Sequence, residues 1–161
     1  MDPVTESQVQ DVELWISNLE EEAEIEGFLD EFGEQQPFAF TYLLTLAESE
    51  DFNEDEGELL FFLGASVWKM MYQANTQLAP IDEATLEEVK SLNLPLLEDL
   101  EAAEEGTLES LAKDWLEGYP QREILLFVVE SILEEDEFAI RDRNKGVMIV
   151  FLKTLIDCLN R

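Results

Sequence analysis

The fold is decided by residues 51–72, DFNEDEGELLFFLGASVWKMMY, where a dense acidic run passes directly into the most apolar segment of the chain. Large apolar side chains occupy almost every position from Leu59 to Met71, and a helix that is apolar on all sides is surrounded by other elements. Asn53 is a favourable N-cap, and carboxylates in a first helical turn are stabilised by the positive end of the helix dipole. The stretch therefore predicts a central apolar helix near residues 54–74, and helix initiation alone accounts for its acidic start.

Helical spacing of apolar residues continues on both sides of this segment. Residues 5–35 carry two apolar stripes, which fit one long helix or two consecutive helices, with Gly33 as a plausible stop. Pro37 suits the first turn of the next helix. After the central segment, Asp82 predicts the cap of a helix whose pattern Pro95 interrupts, as expected for a helical hairpin or a kink.

The C-terminal third is also predicted to be helical. Gly106 and Thr107 begin an amphipathic unit that Gly118 closes, and Pro120 precedes the next. Residues 124–129 and 147–152 are rich in β-branched side chains, which strands favour, but the helical spacing around them extends over lengths that strands seldom reach. We therefore expect two helices here, packed against each other.

Length and composition predict one compact domain. The chain has 161 residues, 46% of them apolar, which is enough for one domain with a substantial core. Ten Phe and three Trp residues supply surface to bury and argue against disorder. We expect an all-α, single-domain bundle of seven or eight helices over residues 1–161, with residues 1–4 as a disordered tail.

The charge of the chain is extreme and unevenly distributed. Its 39 acidic and 9 basic residues give a formal charge of −30, and residues 1–68 hold 19 acids without a single Lys or Arg. Arg141, Arg143 and Lys145 are the only cluster of positive charge. Such a surface repels DNA, RNA and anionic membranes, and it attracts basic proteins or divalent cations. Direct binding to nucleic acid is therefore not expected, while adaptation to a saline environment stays open as a separate explanation.

The expected location is cytoplasmic. Cys158 is the only cysteine, so no intramolecular disulfide is possible, and its place in an apolar helical stripe predicts a small core residue. The chain starts without a basic region followed by an apolar core. The longest weakly charged stretch, residues 59–81, is polar in its second half, so we expect a soluble protein with no membrane span. A homo-oligomer is compatible with the sequence, but no feature indicates one.

The residue types exclude many catalytic mechanisms. Without histidine, the chain has no Ser/His/Asp or Cys/His nucleophile system and no histidine-containing metal site, and no glycine-rich phosphate loop is present. Asp51, Asn53 and Asp55 have the spacing of the first three ligands of an EF-hand calcium loop. The loop then fails, because its sixth position is Glu56 instead of glycine and its twelfth is Phe62 instead of glutamate.

Carboxylates remain as possible metal ligands. Glu31 and Glu34, and likewise Asp55 and Glu58, are three positions apart, which places each pair on one helical face. Four such acids from adjacent helices could hold Mg²⁺ and leave positions for the phosphates of a nucleotide. The second pair, followed by Leu59-Leu60-Phe61, resembles the acidic helix of all-α nucleoside triphosphate pyrophosphohydrolases. This resemblance implies a Mg²⁺-dependent hydrolase as the alternative function, whereas the preferred interpretation requires no cofactor and no catalytic residue.

The preferred interpretation is a non-enzymatic interaction module whose acidic face binds a basic protein surface. Acids spaced along a rigid bundle can imitate the phosphates of a duplex, so nucleic-acid mimicry is one form of this function, and solubility alone is the competing explanation. Trp15, Trp68 and Trp115 all fall on apolar stripes and are expected in the core. The candidate acids form two groups, the first being Glu48, Glu50, Asp51, Glu54, Asp55 and Glu58, and the second Glu20, Glu21, Glu22 and Glu24.

Overall fold

The computed structural model describes residues 1–161 and consists of eight helices without strands. The buried apolar side chains form one core that extends from Val4 to Leu159. The predicted all-α, single-domain bundle is therefore confirmed. Its helices are α1 (Glu6–Ser17), α2 (Glu22–Gln35), α3 (Pro37–Ala47), α4 (Glu54–Ala74), α5 (Glu83–Ala102), α6 (Leu108–Leu116), α7 (Arg122–Leu133) and α8 (Asp142–Leu159).

Helix α4 is the central helix, with the bounds that the sequence predicts. Asn53 caps it reciprocally: its side chain accepts a hydrogen bond from the N–H of Glu56, and its own N–H donates to Glu56 Oε1, both at 2.8 Å. α4 packs against α1, α2, α3, α7 and α8. It is not covered on all sides, however, because Phe62 is 44% exposed where the neighbouring helices leave a gap.

Two glycines allow α3 to approach α4 closely. A Cβ atom on Gly57 would lie 2.2 Å from the carbonyl oxygen of Ala47, and one on Gly64 would lie 2.6 Å from Cδ1 of Leu43. Only a residue without a side chain fits at Gly57, because the obstructing atom belongs to the backbone. This contact fixes the C-terminal end of α3 against the first turns of α4.

Some predicted boundaries are wrong for local reasons. Gly33 lies inside α2, which continues to Gln35 and ends because Pro37, at the first position of α3, restricts the residue before it. Pro95 does not produce a hairpin, since α5 runs through it. Pro95 and Ser91 are both exposed, so water can hydrate the Ser91 carbonyl group that loses its helical donor.

Val4, within the segment that is expected to be a disordered tail, is only 2% exposed. Its N–H donates to Oε1 of Gln121 at 2.8 Å, and Nε2 of Gln121 donates to the carbonyl oxygen of Asp2 at 3.1 Å. The buried amide of Gln121 therefore ties the start of the chain to the start of α7.

The C-terminal helices follow the prediction. The two segments rich in β-branched residues lie in α7 and α8, which pack against each other. Trp68, Trp115 and Cys158 are buried as expected, whereas Trp15 is 41% exposed and stands edge-on to Phe28. None of the eight helices has both the length and the apolar character required to cross a membrane.

Candidate functional site

An open apolar cleft of about 870 Å³ lies at the end of the bundle formed by the C-termini of α1 and α3, the first half of α2 and the start of α4. Buried Phe28 and Phe52 contribute to its lining. Ile25, Leu44 and Phe62 also line it, and each remains about 40% exposed (42%, 39% and 44%). These three are among only eight large apolar side chains that the whole fold leaves exposed. A concave and mostly apolar pocket of this volume is the usual candidate for a binding site.

The cleft exists because of how α1 and α2 end and begin. α1 ends at Ser17, and residues 18–21 turn the chain before α2 begins at Glu22. Leu19 in this turn and Ile25 in the first turns of α2 both line the cleft. α4 forms the facing wall with Gly57, Phe61 and Phe62, and no further element covers the opening.

Carboxylates stand at this cleft without counter-charges. Glu48, Glu54 and Glu58 belong to its lining and are exposed, and no Lys or Arg lines the cleft. None of the ten candidate acids forms an ion pair. An apolar cleft edged by unneutralised negative charge therefore lies within the acid-only part of the chain.

The remaining predicted acids have different positions. Glu20, Glu21, Glu22 and Glu24 are exposed between Leu19 and Ile25, two residues of the cleft wall, so the second predicted group lies beside the same opening. The side chains of Glu50 and Asp51 are exposed on the turn between α3 and α4. Asp55 is half-buried, and its Oδ2 accepts the N–H of Ala139 at 2.9 Å, so this carboxylate anchors the segment between α7 and α8.

A second acidic hollow adjoins the cleft and was not predicted. It has a volume of about 370 Å³ and contains Glu13 of α1, Glu130 of α7 and the run from Glu134 to Glu137, with Phe62 shared between the two cavities. Burial, and then the nearby charge of Glu130, raise the pKa of Glu13. The run 134–137 is visible in the sequence, but its proximity to Glu13 depends on the packing of α1 against α7.

Glu56 belongs to the acidic run at the start of α4, but its surroundings differ from those of Glu54 and Glu58. Its side chain is completely buried, and it accepts hydrogen bonds from Nη2 of Arg141 at 2.7 Å, from Nδ2 of Asn144 at 2.9 Å and from the backbone N–H of Arg141 at 2.9 Å. Burial alone raises the pKa of Glu56, but the hydrogen bonds from Arg141, Asn53 and Asn144 together outweigh it and lower the pKa to about 2. Glu56 is thus a structural carboxylate.

The four acids of the metal-site alternative are not brought together. No group of three or more carboxylate or thiol side chains in residues 1–161 is arranged to hold a metal ion. Glu31 instead pairs with Nζ of Lys69 at 3.2 Å, and Asp55 is bound to Ala139. The three-residue spacing within each pair of acids places that pair on one face of its helix. It does not determine how the faces of α2 and α4 are oriented toward each other. The hydrolase alternative therefore receives no support from this geometry.

A polar network between α5 and α8 is a further cluster that the sequence does not reveal. Nδ2 of buried Asn93 donates to Oγ1 of Thr154 and Oδ2 of Asp157, and Nζ of Lys153 donates to Oδ1 of Asn93 and Oδ2 of Asp157. The hydroxyl of Tyr119 donates to the other oxygen of Asp157. These hydrogen bonds join α5 to α8, so the network has a structural role.

Cys158, which follows Asp157 of this network, is a buried free thiol. Burial, and then the charge of Asp157, raise its pKa to about 12. The thiolate form is therefore negligible near neutral pH, and the predicted role as a core residue is consistent with the position of the side chain.

Comparison with known proteins gives no match to a family model, to a curated protein or to a solved structure.

Proposed function

We propose that the protein is a non-enzymatic interaction module that binds a basic protein surface through the acidic end of the bundle. The single observation that carries the proposal is the set of unneutralised carboxylates, Glu48, Glu54 and Glu58, around the apolar cleft. Residues 1–68 supply 19 acids and no base, and only Glu31 and Glu56 among them form ion pairs, with Lys69 and Arg141, so this part of the chain attracts a positively charged partner.

Helix initiation does not explain all of these charges. Glu54 occupies the first position of α4, where the helix dipole favours an anion, but Glu48 is the C-cap of α3, where the dipole opposes one. Solubility does not explain these charges fully either, because acids that only keep a protein soluble need not surround an exposed apolar surface. The site is concave and combines apolar with acidic side chains. This favours binding of a protein segment over imitation of a regular nucleic-acid duplex.

The test uses fluorescence anisotropy to measure how tightly an oligolysine peptide binds the full chain at salt concentrations between about 0.05 and about 0.5 M. We expect binding that weakens steeply with salt. Replacing Glu48, Glu54 and Glu58 together by Gln removes three exposed charge contacts, and at roughly 0.2–1 kcal/mol each this should weaken binding by about tenfold.

The matched control replaces three exposed acids remote in sequence from the cleft, Glu98, Glu101 and Glu117, by Gln. It changes the net charge equally and should weaken binding much less. Equal weakening by both triple variants would show that the acidity acts only as a diffuse field, and an absence of binding at low salt would reject the proposed function.

A further inference from the structure

We infer that the cleft binds an amphipathic helix of a partner protein, with the apolar face of that helix inside the cleft and its lysines or arginines against Glu48, Glu54 and Glu58. The inference rests on the proposed function and specifies the partner. The exposed apolar residues of the cleft are its basis, because a purely electrostatic contact does not explain why they are exposed.

Two walls of the cleft are stripes of side chains on α2 and α4. On α2, Ile25, Phe28 and Leu29 follow the i, i+3, i+4 spacing, and on α4 the lining runs from Glu54 to Phe62. Eight residue steps of α4 extend over about 12 Å, which matches about two turns of a bound helix. A helix in such a groove contacts it with residues at i, i+3, i+4 and i+7.

The exposed apolar residues indicate that the partner inserts apolar side chains. Ile25, Leu44 and Phe62 come from three different helices and are all exposed at the cleft, while Phe28 and Phe52 are buried. A partner side chain that enters the cleft removes the exposed parts of Ile25, Leu44 and Phe62 from water, which favours binding through the hydrophobic effect. Lysine-rich segments without apolar side chains cannot do this.

The charge determines which apolar partner fits. A second copy of this chain carries the same formal charge of −30, and like charges brought together at an interface oppose binding. Anionic lipid surfaces are repelled for the same reason. Glu13 and Glu130 in the adjoining hollow add negative charge beside Phe62. A helix with a basic face and an apolar face satisfies both the cleft and its rim.

The experiment uses three fluorescent peptides of about 18 residues, which as helices are about 27 Å long. The first contains leucine and lysine with the leucines at helical spacing, the second has the same composition in scrambled order, and the third is oligolysine. We expect the patterned peptide to bind the full chain at least about tenfold more tightly than the scrambled one and to gain helical circular dichroism on binding.

The decisive variant is the double substitution Leu44→Ser and Phe62→Ser, which alters exposed residues and preserves net charge. It should weaken the patterned peptide by about tenfold and leave oligolysine unchanged. The control is Leu92→Ser with Leu94→Ser on α5, where the side chains are 66% and 51% exposed and do not line the cleft. Urea denaturation verifies that both variants remain folded.

The outcomes separate the inference from the proposed function. Equal binding of patterned and scrambled peptides, with no effect of the Leu44/Phe62 variant, would overturn the inference while salt-sensitive oligolysine binding preserved the function. Self-association that the same variant abolishes would also overturn it, since a second copy would then occupy the cleft. If none of the three peptides binds at low salt, both the function and the inference fail.

Discussion

Glu56 and Glu58 are two positions apart on α4, yet they belong to two regions with opposite electrostatics. Glu56 is buried on the inner face and is neutralised by Arg141, whereas Glu58 is exposed on the cleft face with Glu54 and has no ion-pair partner. The helical repeat explains the separation, because residues four positions apart share a face and residues two apart do not. The acidic start of α4 thus contains two carboxylates bound within the fold, Asp55 and Glu56, and two that are exposed and unpaired, Glu54 and Glu58.

The largest expected effect on stability comes from removing the buried carboxylate of Glu56. Glu56→Ala removes the capping-box partner of Asn53 and the carboxylate that accepts from Asn144 and Arg141, which keep only the carbonyl oxygen of Asp51 as acceptor. Loss of a cap and of several charge-assisted hydrogen bonds at a buried site should lower the free energy of unfolding by about 3 kcal/mol. Urea denaturation measures this change.

The matched substitution is Glu58→Ala on the same helix, where the exposed side chain has no hydrogen bond or ion pair to lose. It should change stability by less than about 0.5 kcal/mol. Similar losses in the two variants would show that the two carboxylates do not differ in the way proposed.

The second prediction concerns pH. A carboxyl whose folded pKa lies below its unfolded value contributes stability above the unfolded pKa, and this contribution is lost as the pH falls through the folded pKa. For Glu56 the window extends from its ordinary 4.5 down to about 2. The contribution should be about 2 kcal/mol, after allowance for screening through the partly exposed Arg141.

The measurement compares wild type with Glu56→Gln, because repulsion among the other carboxylates largely cancels in the difference. The stability advantage of the wild type should be full at pH 6 and nearly absent at pH 2. A difference that stays constant over this range would contradict the assignment of Glu56 as the group with the lowered pKa.

The sequence predicts the local features of both regions and misses the non-local ones. The bounds of α4, the cap at Asn53 and the helical nature of α7 and α8 follow from neighbouring residues. The pairing of Glu56 with Arg141 joins positions 85 residues apart, and no local pattern encodes it. The two acidic groups are identifiable as charge runs, but the position of Glu48, Glu54 and Glu58 at one cleft depends on how α1, α2 and α3 pack around α4.

The third prediction concerns Gly57, which lies between the two regions. Gly57→Ala places a Cβ atom against the carbonyl oxygen of Ala47 and should cost about 1.5 kcal/mol, since the steric cost exceeds the gain in helix propensity. Because Ala47 and Gly57 both line the cleft, the displacement should also weaken binding of the patterned peptide.

Gly27→Ala is the control within α2, where the added Cβ atom meets nothing within 4 Å. It should stabilise the protein by roughly 0.5–1 kcal/mol through helix propensity alone. If Gly57→Ala also increased stability, α3 and α4 would not be in the close contact described.

The smallest effects test the charges at the cleft itself. Glu54 at the start of α4 interacts favourably with the helix dipole, so Glu54→Gln should lower stability by about 0.3–0.5 kcal/mol, and Glu48→Gln at the C-cap of α3 should raise it by a similar amount. Thermal denaturation at low ionic strength should resolve the opposite signs, and added salt should diminish both. Equal signs would mean that local repulsion outweighs the dipoles. With opposite signs, Glu54 would stabilise its helix as well as bind a basic peptide. Glu48 would bind the same peptide although its charge destabilises the fold, so helix stability could not be the reason for its presence.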